Sequence, residues 1–116
     1  MGNSASRTIA LQALLRLEQP LSTATDALRQ FPWDSDDFIV LLTRHHVDAV
    51  FRRYIDGKVT AAEIEAWANA LEGREDIGFD EEIEGELRDV VHELANPFLT
   101  GPLTLERATA WIKKLR

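Results

Sequence analysis

A chain of 116 residues suits one domain rather than two, and 45% hydrophobic with 28% charged residues is the balance of a globular protein, not a disordered one. The absence of cysteine excludes disulfides and thiolate metal sites and fits a reducing, cytoplasmic setting. The formal charge of −7 disfavours nucleic acid as a direct ligand, because phosphates would be repelled.

Six helices are predicted in chain order. Ile9, Leu14, Leu15 and Leu17 follow Ser6 and give a first apolar helix that stops before Pro20. A short second helix is capped at Ser22 and turns Ala24, Ala27, Leu28 and Phe31 inward, before the break at Pro32-Trp33, where Trp33 is expected to be partly exposed. Asp34 or Ser35 then opens a third helix running to about Asp56. Asp36 and Asp37 lie at its positive end, and Phe38, Leu41, Leu42, His45, Ala49 and Val50 stand near helical spacing. The fourth begins at Thr60 with Ile64, Trp67, Ala68 and Leu71 on one stripe. The fifth, from about Asp80, aligns Ile83, Leu87, Val90, Val91 and Leu94, and Asn96-Pro97 ends it. The last begins at Thr104 and buries Ala108, Trp111, Ile112 and Leu115. No stretch alternates with a strand period and no repeat is visible, so the expected fold is all-α: a single compact bundle of about six helices over residues 1–116.

The longest strongly apolar run, Phe38-Ile-Val-Leu-Leu42, is too short to span a membrane, and no cationic start leads into a secretory signal. Gly2 with Ser6 matches the myristoylation pattern, but no polybasic cluster follows to secure an acyl chain on a membrane.

Two stretches imitate calcium loops. Asp56, Gly57 and Glu63 fit the late slots of an EF-hand, yet the first and third slots then hold Arg52 and Tyr54, which cannot ligate the ion. Asp80-Glu-Glu-Ile-Glu-Gly85 fits the early slots, but Val91 occupies the twelfth, where a bidentate carboxylate is required. The first stretch reads better as a helix stop at Gly57 followed by a capping box, Thr60-Ala-Ala-Glu63. His45 and His46 are adjacent and diverge by about 100° on a helix. Asp89-x-x-His92 has one-turn spacing but needs further ligands. No phosphate-binding glycine loop or nucleophile motif is present, and the hydroxyls at Ser22, Ser35, Thr60 and Thr104 are accounted for as caps. The expectation is a non-enzyme with no metal and no cofactor.

Charge is the informative feature. Residues 72–93 hold ten carboxylates against Arg74 and Arg88, a net −8 that leaves the rest of the chain at +1. Like charges four apart repel, and Gly85 weakens the helix, so the sequence tolerates two costs that a surface meeting a basic partner would explain. The candidate partner-binding residues are Glu72, Glu75, Asp76, Asp80, Glu81, Glu82, Glu86 and Asp89. Arg44, Arg52, Arg53 and Lys58, interspersed with Asp48 and Asp56, form a weakly positive cluster suited to a helix C-terminus or to docking on the acidic face of another copy.

The phrases Leu42-Thr-Arg-His-His-Val-Asp-Ala-Val, Tyr54-Ile-Asp-Gly-Lys-Val-Thr-Ala-Ala-Glu, Trp67-Ala-Asn-Ala-Leu-Glu-Gly-Arg-Glu-Asp-Ile and Glu93-Leu-Ala-Asn-Pro resemble those of small uncharacterised bacterial helical proteins. The turn followed by an acidic helix is similar to colicin-D-type immunity proteins. That resemblance implies a small acidic helical protein that blocks a basic RNA-cleaving toxin. The expected function is therefore a protein–protein interaction module, acting as a monomer or weak homo-oligomer on a basic partner such as a nuclease-type toxin. The alternative is a self-associating structural or regulatory domain.

Overall fold

The computed structural model describes residues 2–17, 21–32 and 37–115, with side chains from Ser6 onward. Trp33 and the helix start expected at Asp34 or Ser35 lie outside the described residues. In chain order the elements are α1 (Gly2–Arg16), α2 (Leu21–Leu28), β1 (Val40–Leu42), α3 (Arg44–Ile55), α4 (Ala61–Leu71), β2 (Ile77–Phe79), a 3₁₀ turn (Glu81–Ile83), α5 (Glu84–Ala95), α6 (Pro97–Thr100) and α7 (Leu105–Leu115). The chain is thus broadly an all-α bundle. The helix that the sequence reading lacked is the single turn α6, which Pro97 opens where a missing amide costs nothing.

The helices pack in pairs, α4 on α5, α3 on α7 and α1 on α2. Trp67 joins them at the centre. It is fully buried with Ile64, Ala68 and Leu71 on the predicted stripe of α4, and its indole Nε1 donates to the Leu14 carbonyl at 2.7 Å. Leu14 lies in the last turn of α1, whose carbonyls have no partners within the helix. Arg53 of α3 donates to two carbonyls further along, those of Arg16 (3.4 Å) and Leu17. Leu17 ends α1 in the left-handed region at φ 49°. For a residue with a Cβ that conformation is strained, and its burial and these neighbours hold it there.

The turn between α3 and α4 is built as the sequence indicates. Gly57 has φ +77°, Lys58 N donates to Arg53 O at 2.8 Å and Gly57 N to Tyr54 O at 3.0 Å, the two bonds of a Schellman stop. Thr60 and Glu63 then exchange hydrogen bonds, Glu63 N to Thr60 Oγ1 and Thr60 N to Glu63 Oε1, both 3.1 Å. This satisfies two of the free amides that start α4.

The third predicted helix is where sequence and structure part. Phe38 to Leu42 is extended, and Val40, Leu41 and Leu42 pair in parallel with Ile77, Gly78 and Phe79. The helix begins only at Arg44 and buries Val47, Val50 and Phe51 instead of His45 and Ala49, which are exposed. The sheet is close-packed at Gly78. A Cβ there would lie 2.6 Å from Phe38 Cδ2 and 2.7 Å from Leu41 Cδ2, so only glycine lets these side chains cross the strand. Smaller differences follow the same logic. Ile9 is 70% exposed and Leu11 takes its place in the core, Ala27 faces solvent, and Trp111 is half-buried.

Candidate functional site

The chain leaving α4 at Glu72 reaches β2 through Arg74, Glu75 and Asp76. Asp76 is completely buried. Its carboxylate accepts from Arg74 Nε and Nη2, both at 2.9 Å, and from Arg7 Nε and Nη2 at 3.2 and 3.0 Å. Both guanidiniums also donate to the Pro32 carbonyl, at 3.0 Å from Arg7 and 3.4 Å from Arg74. The Asp76 carbonyl in turn accepts from the amides of Ile39 and Val40. One residue therefore fastens α1, the approach to β1 and the start of β2. Burial alone would raise the Asp76 pKa, but the hydrogen bonds from Arg74 and Arg7, with their charges, hold it below the usual carboxylate value. Asp76 is thus removed from the exposed acidic patch in which the sequence placed it, because two arginines supply the charge and donors that make its burial tolerable.

The other seven acids divide by position. Glu72, Glu75, Glu81, Glu82 and Asp89 are exposed, and Asp80 and Glu86 are half-buried. Asp80 caps the 3₁₀ turn by accepting from the Glu82 amide at 3.2 Å. On α5, residues advance by about 100° each. Arg88 and His92 therefore lie on one flank, Glu86 and Glu93 on the other, and Asp89 points outward between them. The first flank is partnered: Arg88 Nε meets Glu84 Oε2 at 2.7 Å, and His92 Nδ1 lies 3.4 Å from Glu72 Oε2, an ion pair only when the imidazole is protonated. On the other, Glu93 is half-buried rather than solvated and accepts from Trp111 Nε1 at 2.6 Å. Among the described residues, Glu75, Glu81, Glu82, Glu86 and Asp89 form no ion pair. The uncompensated charge lies at the N-terminal end and outer side of α5, with Glu86 on the far flank.

Beside these acids is a groove of about 540 Å³ between β2, the end of α4 and α5. It is lined by the apolar Phe38, Leu71, Ile77, Phe79 and Val91 and by the polar Glu72, Arg74, Glu75, Arg88 and His92. Phe38 is 63% exposed there, and the Arg88 guanidinium lies 4.6 Å from the centre of the Phe79 ring. An apolar lining accompanied by ionised side chains is the form of a pocket that takes an anchoring side chain from a partner. Sequence reading missed it because Phe38 was assigned to a helix. The signal was nevertheless present in the short, bounded apolar run Phe38-Ile-Val-Leu-Leu42, which is also the pattern of a buried strand.

The remaining candidates take structural positions. Asp56, Gly57 and Glu63 belong to the α3–α4 turn, and His92 meets Glu72 and Asn96 rather than sharing a ligand with Asp89. Among the described residues no group of three His, Asp or Glu side chains is placed to hold a metal ion. None of the helices is long and apolar enough to cross a membrane. No family model matches the chain, and no curated protein or solved structure gives a significant match.

Proposed function

We infer that this chain is a non-enzymatic protein–protein interaction module that binds a basic protein through the acids leading into α5 and on its outer side, with the groove beside it. The observation that carries the reading is the set of exposed carboxylates without counter-ions, Glu75, Glu81, Glu82 and Asp89, next to a groove lined in part by apolar side chains. Unpaired like charges accelerate encounter with a cationic surface, and the groove offers the desolvated contact that charge alone lacks. An immunity or antitoxin factor acting in the cytoplasm on a nuclease-type toxin is the biological form that fits this chemistry and the resemblance noted above. Affinity capture from the source cell tests it, with partners identified at low and at high salt. A basic protein retained at low salt and released at high salt is expected. Recovery of acidic or neutral partners alone, insensitive to salt, would sink the proposal.

A second reading, self-association, is favoured by the apolar surface at the other end of α5. Phe98 is fully exposed, and Leu99 and Leu105 are 78% and 57% exposed. Sedimentation velocity over a concentration series separates the two, because a strict monomer removes the second.

A further inference from the structure

The cations of α3 have unequal roles in the fold. Arg52 is held by Asp48 at 2.8 Å, and Arg53 reaches across to the end of α1. His45, Ala49 and Arg53, each one turn after the last, share a face of α3. Together with His46, Arg16 of α1 and Lys58 of the following turn, they surround an open groove of about 430 Å³ that, among the described residues, no carboxylate lines. Among the described residues, the side chains of Arg16, His45 and Lys58 form no hydrogen bond or ion pair.

We propose that this groove binds a small soluble anion bearing phosphate groups. Three permanent cations converge on it, so the matching ligand carries at least two negative charges. A phosphate ester does so near neutral pH, whereas a single carboxylate does not. Arg16 presents an unengaged guanidinium fork that matches phosphate oxygens, Arg53 adds its charge and the donors not used on the α1 carbonyls, and Lys58 adds a point charge.

His46 contributes a defined donor. Its Nδ1 accepts from the Thr43 amide at 3.0 Å, so the ring proton resides on Nε2 and is available to an acceptor. The His46 pKa lies below the ordinary value, first from burial and then from the charges of Arg16 and His45. The size of the groove is that of a phosphorylated metabolite, and its position on α3, which packs on α7 and α1, makes the site independent of the acidic surface on α5.

The test is a titration of the isotope-labelled full chain with sodium pyrophosphate, followed by amide and imidazole NMR and run against sodium chloride at equal ionic strength. Saturable shifts confined to Arg16, His45, His46, Ala49, Arg53 and Lys58 are expected. The exposed pair Arg16→Ala and Lys58→Ala should weaken binding by about tenfold or more while leaving the circular dichroism spectrum unchanged. Chloride reproducing the shifts, pyrophosphate producing none, or the double variant binding like the parent would each overturn the proposal. Binding to vesicles containing phosphatidic acid without binding to pyrophosphate would overturn it too, since the ligand would then be a lipid surface.

Discussion

Replacing Asp76 with Asn keeps the side chain's shape and removes its charge. In the native chain four charge-assisted hydrogen bonds of 2.9 to 3.2 Å reach this carboxylate. The Arg74 and Arg7 side chains that make them are only 4% and 15% exposed. Asn leaves one acceptor oxygen and turns an amide NH₂ toward two guanidiniums, so buried positive charge loses its partner. Breaking a buried pair from one side costs about 3–5 kcal/mol. A domain of this length has of the order of 6–17 kcal/mol in total, so the variant should fold but melt about 10–20 °C lower. Urea and thermal unfolding by circular dichroism measure this, with Glu75→Gln as the exposed neighbour expected to cost under about 0.5 kcal/mol. The pH profile gives a second reading. Because the folded pKa of Asp76 is depressed below 3.8, its contribution is present above that value and is lost as pH falls through the lower folded pKa. Asp76→Asn should remove that acid-side slope. A loss under about 1 kcal/mol, or an unchanged acid profile, would refute the anchoring role.

Three further outcomes are expected. Gly78→Ala should cost about 1–3 kcal/mol in urea unfolding and displace the Phe38 ring, since the new methyl would overlap that ring, Cγ included, and Leu41 Cδ2. Thr60→Ala should cost about 1 kcal/mol by removing the cap of α4 and should raise amide exchange in its first turn. His46 should titrate below the ordinary histidine value of 6.5 when followed by NMR. Its folded pKa is lowered by burial and by the charges of Arg16 and His45, so the neutral ring contributes stability above 6.5 that is lost as pH falls through the folded pKa; a midpoint above 6.5 would contradict this.

What could be read from the sequence was local. Gly57, Thr60 and Glu63 specify a helix stop and a helix start within a few residues, and the stripe from Ile64 to Leu71 needs only the helical period to predict its burial. What could not be read was set by distant partners. A five-residue apolar run satisfies a buried helix and a buried strand equally, and the strand that decides the matter, Ile77–Phe79, lies far along the chain. Asp76 carries the same sign as most of its neighbours, and its burial depends on Arg7, 69 residues away, as well as on Arg74. Ile9 and Leu11 stand about 200° apart on α1, so one must face water, and Leu14 and Leu15 place Leu11 on the inner side. The acidic character of residues 72–93 was legible; its division between a partnered groove flank and an uncompensated outer side depended on the folded positions of Arg88 and His92.

The central claim, that the exposed acids of the 3₁₀ turn and of the outer side of α5 meet a basic partner, is tested most directly by reversing Glu81, Glu82 and Asp89 to Lys and measuring the association rate with the captured partner across a salt series. The account predicts a rate at least about tenfold slower with most of the salt dependence gone, while the helical spectrum is retained. An unchanged rate and salt slope would contradict it.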